Sequence, residues 1–179
     1  MLVIAATGRE LEGLDAGAHS TLVCGVGPVE AAAATARALA ENCPNGVLHV
    51  GLAGRHGFRE PQLVIGSAAI YCDALTPSLV PTRAAPDSSL LAAARHVFPD
   101  ALLCPIGTSA RVGGTSGCEV EAMEGYAVLR ACELAGVPAL EVRAVVNEIS
   151  EPDRALWRFD DGFALLRESL PRLLEALDA

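Results

Sequence analysis

The sequence predicts an α/β fold, a three-layer αβα sandwich with a mostly parallel mixed sheet. Short apolar segments alternate with helical segments along the 179 residues, and consecutive strands joined by helices pair in parallel and are covered on both faces. Hydrophobic residues make up 51% of the chain but aromatic residues only 4%, a mixture that suits helices packed on a buried sheet. We expect residues 1–179 to form a single domain, since a chain of this length can bury most of its apolar surface.

The N-terminal half is predicted to contain one helix among its strands. The predicted strands cover residues 2–7, 20–24, 47–50 and 63–71. Pro28 suits the first turn of an alanine-rich helix over residues 28–41. Gly66-Ser67 lies inside the last of these strands and is a point where its pairing can be interrupted. The order of elements therefore favours strand–helix–strand units.

The C-terminal half is predicted to be richer in helix. The predicted helices cover residues 88–97, 119–134 and 160–177, and the predicted strands cover residues 101–106 and 139–146. Gly136 stops the long central helix, with Pro138 beyond it. Three prolines within residues 75–86 indicate a loop.

Charge and composition exclude several classes of function. A net charge of −9 argues against nucleic acid or an anionic membrane surface as a partner. All 13 basic residues are arginine, which excludes Schiff-base chemistry and the lysine of a phosphate-binding loop. We expect no signal peptide, because the apolar start Met1-Leu2-Val3-Ile4-Ala5-Ala6 is short and has no basic residue, and no apolar run reaches the length of a membrane span. We therefore expect a protein of the cytoplasm.

Metal binding is not indicated. The six cysteines are dispersed singly through apolar surroundings, and no two of them have the spacing of metal ligands. They are predicted to be small buried core residues in a reducing compartment. His49 and His56 could approach each other, but two histidines without further ligands do not make a metal site. No metal and no organic cofactor is expected.

The segment from Glu119 to Asn147 gives the first indication of function. Carboxylates and a methionine, at Glu121, Met123 and Glu124, open the predicted helix, and an amide, Asn147, ends the strand that follows. Helix starts and strand ends are where α/β proteins place ligands. Three glycine-containing turns are also predicted after strands, at Gly8, Gly25-Val26-Gly27 and Gly51-Leu52-Ala53-Gly54, where backbone N–H groups can approach a ligand. These features together suggest a small-molecule site.

Five segments carry a family resemblance: Gly25-Val26-Gly27-Pro28-Val29-Glu30-Ala31-Ala32, Gly51-Leu52-Ala53-Gly54, Val64-Ile65-Gly66-Ser67, Glu121-Ala122-Met123-Glu124-Gly125 and Val142-Arg143-Ala144-Val145-Val146-Asn147. With them the chain resembles the nucleoside phosphorylase/nucleosidase superfamily across most of its length. Asp153-Arg154 followed by Trp157 favours the futalosine hydrolase branch of that superfamily. The resemblance implies a nucleoside phosphorylase-like fold and hydrolysis of the N-glycosidic bond of futalosine. The products would be hypoxanthine and dehypoxanthine futalosine, on a route to menaquinone.

The resemblance also implies roles for particular residues. Glu124 would accept hydrogen bonds from both ribose hydroxyls, and Met123 would pack against the sugar. Glu10 aligns with the general base that activates the attacking water. Ala53 and Gly54 would contribute to substrate binding.

Asn147 is implied to select the leaving base. Relatives that release adenine generally have aspartate at this position. An amide can donate to a 6-oxo group and accept from a protonated ring nitrogen, whereas the amino group of adenine would place donor against donor. Asn147 therefore indicates hypoxanthine as the leaving base.

The carboxyphenyl group of futalosine needs a cationic partner. Arg154 is the first candidate for a bidentate contact to that carboxylate, with Arg143 and Arg9 as alternatives. Trp157 would either cover the aromatic group or anchor the last helix, and the anchor is the preferred interpretation. Residues 107–117 lack the helix and the aromatic residue that stacks on the base in relatives. Relatives form homodimers, and a homodimer is expected here.

Three alternative functions remain open at this point. The first is a nucleosidase acting on methylthioadenosine or S-adenosylhomocysteine, against which Asn147 argues. The second is a purine nucleoside phosphorylase, for which Arg9, Arg55 and Arg111 would be candidates for binding phosphate. The third is a non-catalytic nucleotide-binding module. The joint presence of Glu10, Glu124 and Asn147 argues against it.

Overall fold

A computed structural model describes residues 1–14, 19–74, 76–113 and 117–178. The strands are β1 (Leu2–Ala5), β2 (Ser20–Val23), β3 (Val47–Arg55), β4 (Gln62–Tyr71), β5 (Arg83–Ala84), β6 (Leu102–Thr108), β7 (Val120–Ala122) and β8 (Ala139–Glu148). The α-helices are α1 (Pro28–Glu41), α2 (Ser88–Val97), α3 (Gly125–Ala135) and α4 (Phe159–Leu177). Two short 3₁₀ helices cover Gly8–Leu11 and Arg154–Leu156.

All the described strands belong to one mixed sheet. Its order is β2-β1-β3-β7-β6-β4-β5, and β8 pairs with both β3 and β4. The pairings β1/β2, β1/β3, β3/β8, β4/β6 and β6/β7 are parallel, and β3/β7, β4/β5 and β4/β8 are antiparallel. Strands β3, β8, β4, β6 and β7 therefore close into a ring, and the predicted mostly parallel mixed sheet is confirmed.

Helices cover both faces of the sheet. One apolar cluster packs Leu90 of α2 and Leu166 of α4 against strand residues such as Val50, and a second packs α1 and α3 against the other face, through residues such as Leu39 and Val128. This arrangement confirms the three-layer αβα architecture.

Local chemistry sets several helix boundaries. Pro28 opens α1 as predicted, and the Asp87 carboxylate caps α2 by accepting hydrogen bonds from the N–H groups of Ser89 and Leu90. Gly136 ends α3 in the left-handed conformation with φ of 69°, which glycine adopts without strain.

Two predictions about the central segments were wrong. The helix predicted over residues 119–134 begins only at Gly125, because Val120–Ala122 pairs with both β3 and β6 as strand β7. The turn predicted at residues 51–54 is part of β3, which continues to Arg55 while it pairs with β8. In both places strand pairing from distant parts of the chain overrides the local pattern.

Smaller differences concern the loops and the cysteines. The predicted loop over residues 75–86, of which residue 75 lies outside the described residues, contains the short strand β5. Gly66 lies where the β4/β6 register shifts, at the predicted interruption. Cys24, Cys104 and Cys132 are buried as expected, whereas Cys43 is exposed and Cys72 and Cys118 are partly exposed. Among the described residues, no helix is both long and apolar enough to cross a membrane.

Candidate functional site

A cavity of about 760 Å³ lies at the carboxyl ends of β1, β3 and β8. Ligands commonly bind outside the carboxyl ends of parallel strands. The residues proposed from the sequence all line this cavity, namely Glu10, Ala53, Gly54, Met123, Glu124, Asn147 and Arg154. Side chains that are far apart in the chain thus share one chamber.

Glu10 is fixed in a buried position by hydrogen bonds. It lies in the first 3₁₀ helix, and only 7% of its surface is exposed. Its Oε2 accepts from the backbone N–H of Thr7 at 2.8 Å and from the Thr7 hydroxyl at 2.9 Å. Its Oε1 accepts from the backbone N–H of Leu52 at 3.1 Å. The carboxylate is therefore oriented before a substrate binds.

Glu124 is held at the start of α3. It is the residue before the first helical turn and is 4% exposed. Its Oε1 accepts from the backbone N–H of Gly27 at 3.0 Å, and its Oε2 accepts from Nη2 of Arg143 at 3.3 Å. Gly27 has φ of 95° and precedes α1, a conformation that glycine adopts readily. The preceding residue, Met123, lines the same cavity.

Asn147 enters the cavity next to an irregularity in β8. The register between β3 and β8 shifts between Ala53 and Gly54, so that Gly54 pairs with Asn147. Such a bulge breaks the normal alternation of side chains, and both Val146 and Asn147 line the cavity. Nδ2 of Asn147 donates to the backbone carbonyl of Glu148 at 2.9 Å, which fixes one side of the amide.

A buried ionic cluster lies behind these residues. Nε of Arg143 donates to Oε1 of Glu141 at 2.8 Å, and Nη2 donates to Nε2 of His49 at 2.5 Å. Nδ1 of His49 donates to the carbonyl of Ile4 at 3.0 Å, so Nε2 is the unprotonated acceptor. Arg143 is 1% exposed, and Glu141 and His49 are fully buried.

The charges of this cluster shift its pKa values. Burial lowers the pKa of His49 well below its ordinary value, and the Arg143 guanidinium lowers it further. Burial raises the pKa of Glu141, although Arg143 acts in the opposite direction. Burial alone would lower the pKa of Arg143, but Glu141, Glu124 and Glu10 outweigh it and raise the pKa. Arg143 is therefore a permanent cation facing several carboxylates.

Two candidates for the substrate carboxylate remain near the cavity. Arg143 is committed to the buried cluster and does not line the cavity, so the structure argues against that alternative. Arg154 and Arg9 both line it. The Arg154 guanidinium lies 5.3 Å from the centre of the Trp157 ring, whereas Arg9 pairs with Asp160 at 3.2 Å.

Aromatic residues cover one side of the cavity. Trp157, Phe159 and Phe163 line it together. The indole N–H of Trp157 donates to the carbonyl of Glu151 at 3.1 Å, and its ring lies 5.5 Å from that of Phe159. Trp157 therefore anchors the chain before α4, as preferred from the sequence, and lines the cavity as well.

The residues suggested for phosphate binding do not converge. Of Arg9, Arg55 and Arg111, only Arg9 is among the described residues that line the cavity. Arg55 makes two contacts with the Glu119 carboxylate, at 2.9 and 2.7 Å. This geometry does not favour a phosphorylase.

Sequence reasoning missed the supports behind the site. Thr7 and the backbone of Leu52 hold Glu10, and His49 and Glu141 hold Arg143. One signal was available: Glu141 and Arg143 stand two residues apart within the mainly apolar run of residues 139–146, so they project from the same face of β8. Two buried charges on one strand face indicate an ion pair.

The amino-acid sequence is similar to one protein family and to a characterised member of it. Residues 7–116 match the family described as the Phosphorylase superfamily. The chain is 32% identical over 190 aligned residues to futalosine hydrolase of Streptomyces coelicolor, with 88% of this chain and 79% of that protein covered.

Solved structures show the same fold. A 5′-methylthioadenosine/S-adenosylhomocysteine nucleosidase of Neisseria meningitidis, in complex with methylthio-immucillin-A, has a TM-score of 0.85 at 21% identity, covering 98% of both chains. A mutant of futalosine hydrolase from Helicobacter pylori has a TM-score of 0.82 at 16% identity, covering 97% of both chains. At sequence identities of 21% and 16%, these similarities establish the fold alone.

Proposed function

Because the chain belongs to the phosphorylase superfamily, we propose that it is a nucleosidase that hydrolyses futalosine to hypoxanthine and dehypoxanthine futalosine, a reaction of menaquinone biosynthesis. The resemblance seen in the sequence motifs is confirmed at the level of the family. The observation that carries the proposal is the convergence of Glu10, Glu124 and Asn147 on one cavity, in a chain homologous to futalosine hydrolase.

The attacking water is activated by Glu10 in this proposal. Cleavage of the bond between sugar and base passes through an oxocarbenium-like state, in which the sugar gains positive charge. Glu10 removes a proton from water as the water attacks the anomeric carbon. The hydrogen bonds from Thr7 and Leu52 to Glu10 support this role, because these uncharged groups aim the carboxylate.

The ribose is held by Glu124. A carboxylate can accept from both ribose hydroxyls while it keeps its contacts with Gly27 and Arg143. The carboxylates of Glu124 and Glu10 on the cavity also favour a sugar that becomes cationic. Met123 supplies the apolar surface beside the sugar.

Asn147 selects a 6-oxopurine as the leaving base in this proposal. Because one N–H of its amide donates to the Glu148 carbonyl, the other N–H and the amide oxygen remain for the base. An amide does not donate a proton at neutral pH, so the proton that the departing base takes up comes from water. Ala53 and Gly54 form the cavity wall beside it.

The carboxyphenyl end of futalosine is assigned to Arg154. This guanidinium stacks near Trp157 and Phe159, with distances of 5.3 and 5.7 Å to the ring centres. An arginine beside aromatic rings suits a benzoate, because the rings pack on the phenyl group while the guanidinium binds the carboxylate.

We further propose that residues 1–179 act as one domain within a cytoplasmic homodimer. An apolar groove of about 760 Å³ runs between α1 and α3. Val29 and Leu134 lie in this groove and are 78% and 72% exposed. Apolar side chains this exposed on one groove support an interface between two copies. Light scattering of the purified protein measures its mass in solution.

The proposed activity is tested by product identification. Purified protein is incubated without phosphate with futalosine, inosine or methylthioadenosine, and the released bases are identified by mass spectrometry. We expect hypoxanthine from futalosine and no adenine from methylthioadenosine. Release of adenine alone would favour the methylthioadenosine nucleosidase function, and dependence on added phosphate would favour a phosphorylase.

A further inference from the structure

One nitrogen of the Arg143 guanidinium is shared between a histidine and the carboxylate of Glu124. Nη2 of Arg143 donates to Nε2 of His49 at 2.5 Å and to Oε2 of Glu124 at 3.3 Å. The other nitrogens are bound elsewhere, Nε by Glu141 at 2.8 Å and Nη1 by the carbonyl of Leu52 at 3.4 Å. The position of Nη2 therefore results from a competition between His49 and Glu124.

The two distances show that His49 prevails in this competition. Hydrogen bonds from a guanidinium to a carboxylate are usually about 2.7–2.9 Å long. The contact of Arg143 with Glu141 has this length, whereas its contact with Glu124 is longer. The His49 imidazole is neutral, because burial and Arg143 lower its pKa. Charge alone would draw Nη2 toward Glu124, so His49 holds the guanidinium away from that carboxylate.

Packing fixes both partners of this contact. His49 is fully buried, and its Nδ1 donates to the carbonyl of Ile4 at 3.0 Å. Arg143 is 1% exposed and packs against the backbone of β3, where a Cβ atom at Gly51 would overlap Nη1. Without the acceptor on His49, a buried N–H of Arg143 would lose its partner. Glu124 already accepts from the same nitrogen, so the freed N–H would turn to Glu124.

Glu124 has no acceptor position to spare for a second bond from Arg143. A carboxylate offers about four such positions. The backbone N–H of Gly27 takes one and Arg143 takes another. Two remain, which is the number that the two hydroxyl groups of a ribose require. A closer approach of Arg143 would occupy one of them.

We propose that His49 is a positioning residue, which holds Arg143 back and so keeps Glu124 open to the 2′- and 3′-hydroxyl groups of the nucleoside. The inference rests on the proposed function and deepens it, because it assigns recognition of the sugar to a residue behind the cavity. His49 is not among the described residues that line that cavity. It acts on the substrate only through Arg143 and Glu124.

Two substitutions separate the two hydrogen bonds of His49. A glutamine side chain reaches about as far as Nε2 of histidine, and an asparagine side chain about as far as Nδ1. His49→Gln therefore keeps an acceptor for Arg143 and loses the donor to Ile4. His49→Asn keeps a donor to Ile4 and loses the acceptor for Arg143. The proposal requires that only the second change impairs recognition of the sugar.

The measurement compares 9-deazainosine with 2′-deoxy-9-deazainosine, in which a carbon–carbon bond joins sugar and base and resists hydrolysis. Binding is followed through the fluorescence of Trp157, the single tryptophan of the chain, which lines the cavity. We expect His49→Asn to reduce the preference for the ribonucleoside about tenfold or more, because Glu124 loses a charge-assisted bond to the sugar. His49→Gln should stay within about threefold of the wild type. The free base 9-deazahypoxanthine should bind equally to all of them.

His96→Asn, at an exposed position on α2, is the matched control and should keep the preference of the wild type. A folded His49→Asn protein with the wild-type preference for the ribonucleoside overturns the proposal. An equal loss in His49→Gln and His49→Asn also overturns it, because His49 would then act through Ile4 and the fold rather than through Arg143.

A measurement on the wild type does not depend on the folding of any variant. Nitrogen-15 spectra of the histidine rings, with His49 assigned through its proximity to Ile4, should show a proton on Nδ1 and none on Nε2 at about pH 7. The Nε2 resonance should move when 9-deazainosine binds and not when 9-deazahypoxanthine binds. A proton on Nε2, or an Nε2 resonance that ignores the sugar, overturns the proposal.

The two proposals fail separately. Binding of the 9-deaza compounds needs no turnover, so it reports on His49 even if futalosine is not hydrolysed. Conversely, release of hypoxanthine from futalosine by the wild type, together with an unchanged sugar preference in His49→Asn, would retain the proposed function and reject the role of His49.

Discussion

Glu10 combines burial with hydrogen bonds that, within the described part of the chain, come from uncharged groups. Its partners are the Thr7 backbone and hydroxyl and the Leu52 backbone. A carboxylate in this setting can take a proton from water, whereas an amide of the same shape cannot. The role proposed for Glu10 thus depends on its basicity rather than on its size.

The substitution Glu10→Gln separates these two properties. We expect kcat for futalosine to fall about 100- to 10,000-fold, the usual contribution of a general base, with KM changed little. Initial rates of hypoxanthine release measure this effect. Glu60→Gln, at an exposed position, is the control. A Glu10→Gln variant that keeps more than about a tenth of the wild-type kcat contradicts the assignment.

Arg154 is expected to discriminate between substrates rather than to support the chemistry. Arg154→Ala should raise KM for futalosine about tenfold or more, because the carboxylate loses a charge-assisted contact. KM for inosine, which lacks the carboxyphenyl group, should stay within about twofold. Steady-state kinetics with both substrates measures the difference.

Two further arginine variants complete this comparison. Arg9→Ala tests the competing residue on the cavity, and Arg37→Ala, at an exposed position on α1, is the control. An equal effect of Arg154→Ala on both substrates would reject its role. A larger selective effect of Arg9→Ala would transfer that role to Arg9.

The residue types of the site could be predicted from the sequence, but their supports could not. Glu124 and Asn147 stand in recognisable motifs, and both line the cavity. The partners of Glu124 are the backbone N–H of Gly27 and the side chain of Arg143, which belong to other parts of the chain. Contacts of this kind depend on which strands become neighbours, and no local pattern records that.

At the scale of elements, the start of α3 depends on a missing side chain. Gly125 is the first helical residue, and a Cβ atom there would overlap both carboxylate oxygens of Glu141. Alanine usually stabilises a helix relative to glycine. At Gly125 the added Cβ atom would destabilise the protein instead, because it would overlap the carboxyl group of Glu141, which is fully buried and has no path into water.

Gly125→Ala should therefore destabilise the protein. We expect a loss of about 1–3 kcal/mol in the free energy of unfolding, the usual cost of overpacking a core. Urea unfolding followed by circular dichroism measures it. The control is Gly8→Ala, since a Cβ atom at Gly8 meets nothing within 4 Å. An equal or higher stability for Gly125→Ala would show that Glu141 moves aside without cost.

The elements themselves were predictable where one local signal was decisive. Pro28 correctly marked the start of α1, and Gly136 correctly marked the end of α3. The sequence predicts a helix over Val120–Ala122, because Glu121 and Ala122 are compatible with one. Its strand conformation comes from pairing with β3 and β6, and a three-residue strand carries too little periodicity to be recognised from its own sequence.

At the scale of the whole molecule, the three layers bring the ends of β1, β3 and β8 to one cavity. The order of strands and helices was enough to predict the layers, because alternating elements have few ways to bury their apolar faces. The ring closed by β7 and β8 was not predicted. The cluster of His49, Glu141 and Arg143 is buried between β3, β8 and the start of α3. Its ionisable groups couple the stability of the fold to pH.

His49 should make the folded state less stable in acid. Burial and Arg143 lower its pKa well below the ordinary value of 6.5. The imidazole of the native state therefore stays neutral at pH 6.5 and somewhat below. Below that pH the unfolded chain takes up a proton that the native state does not. The free energy of unfolding therefore falls as pH decreases below about 6.5, by up to about 1.4 kcal/mol per pH unit from this residue.

A comparison of variants is needed to isolate the contribution of His49, because Glu141 changes the free energy of unfolding with pH in the opposite direction. Burial raises the pKa of Glu141 above its ordinary value of 4.5, so its stabilising contribution is lost as pH rises. Urea unfolding between about pH 5.5 and 6.5 should give a shallower loss of stability for His49→Asn than for the wild type. His96→Asn, at an exposed position on α2, should keep the wild-type slope. Identical slopes for His49→Asn and the wild type would mean that His49 is protonated in the native state, with Arg143 displaced from it.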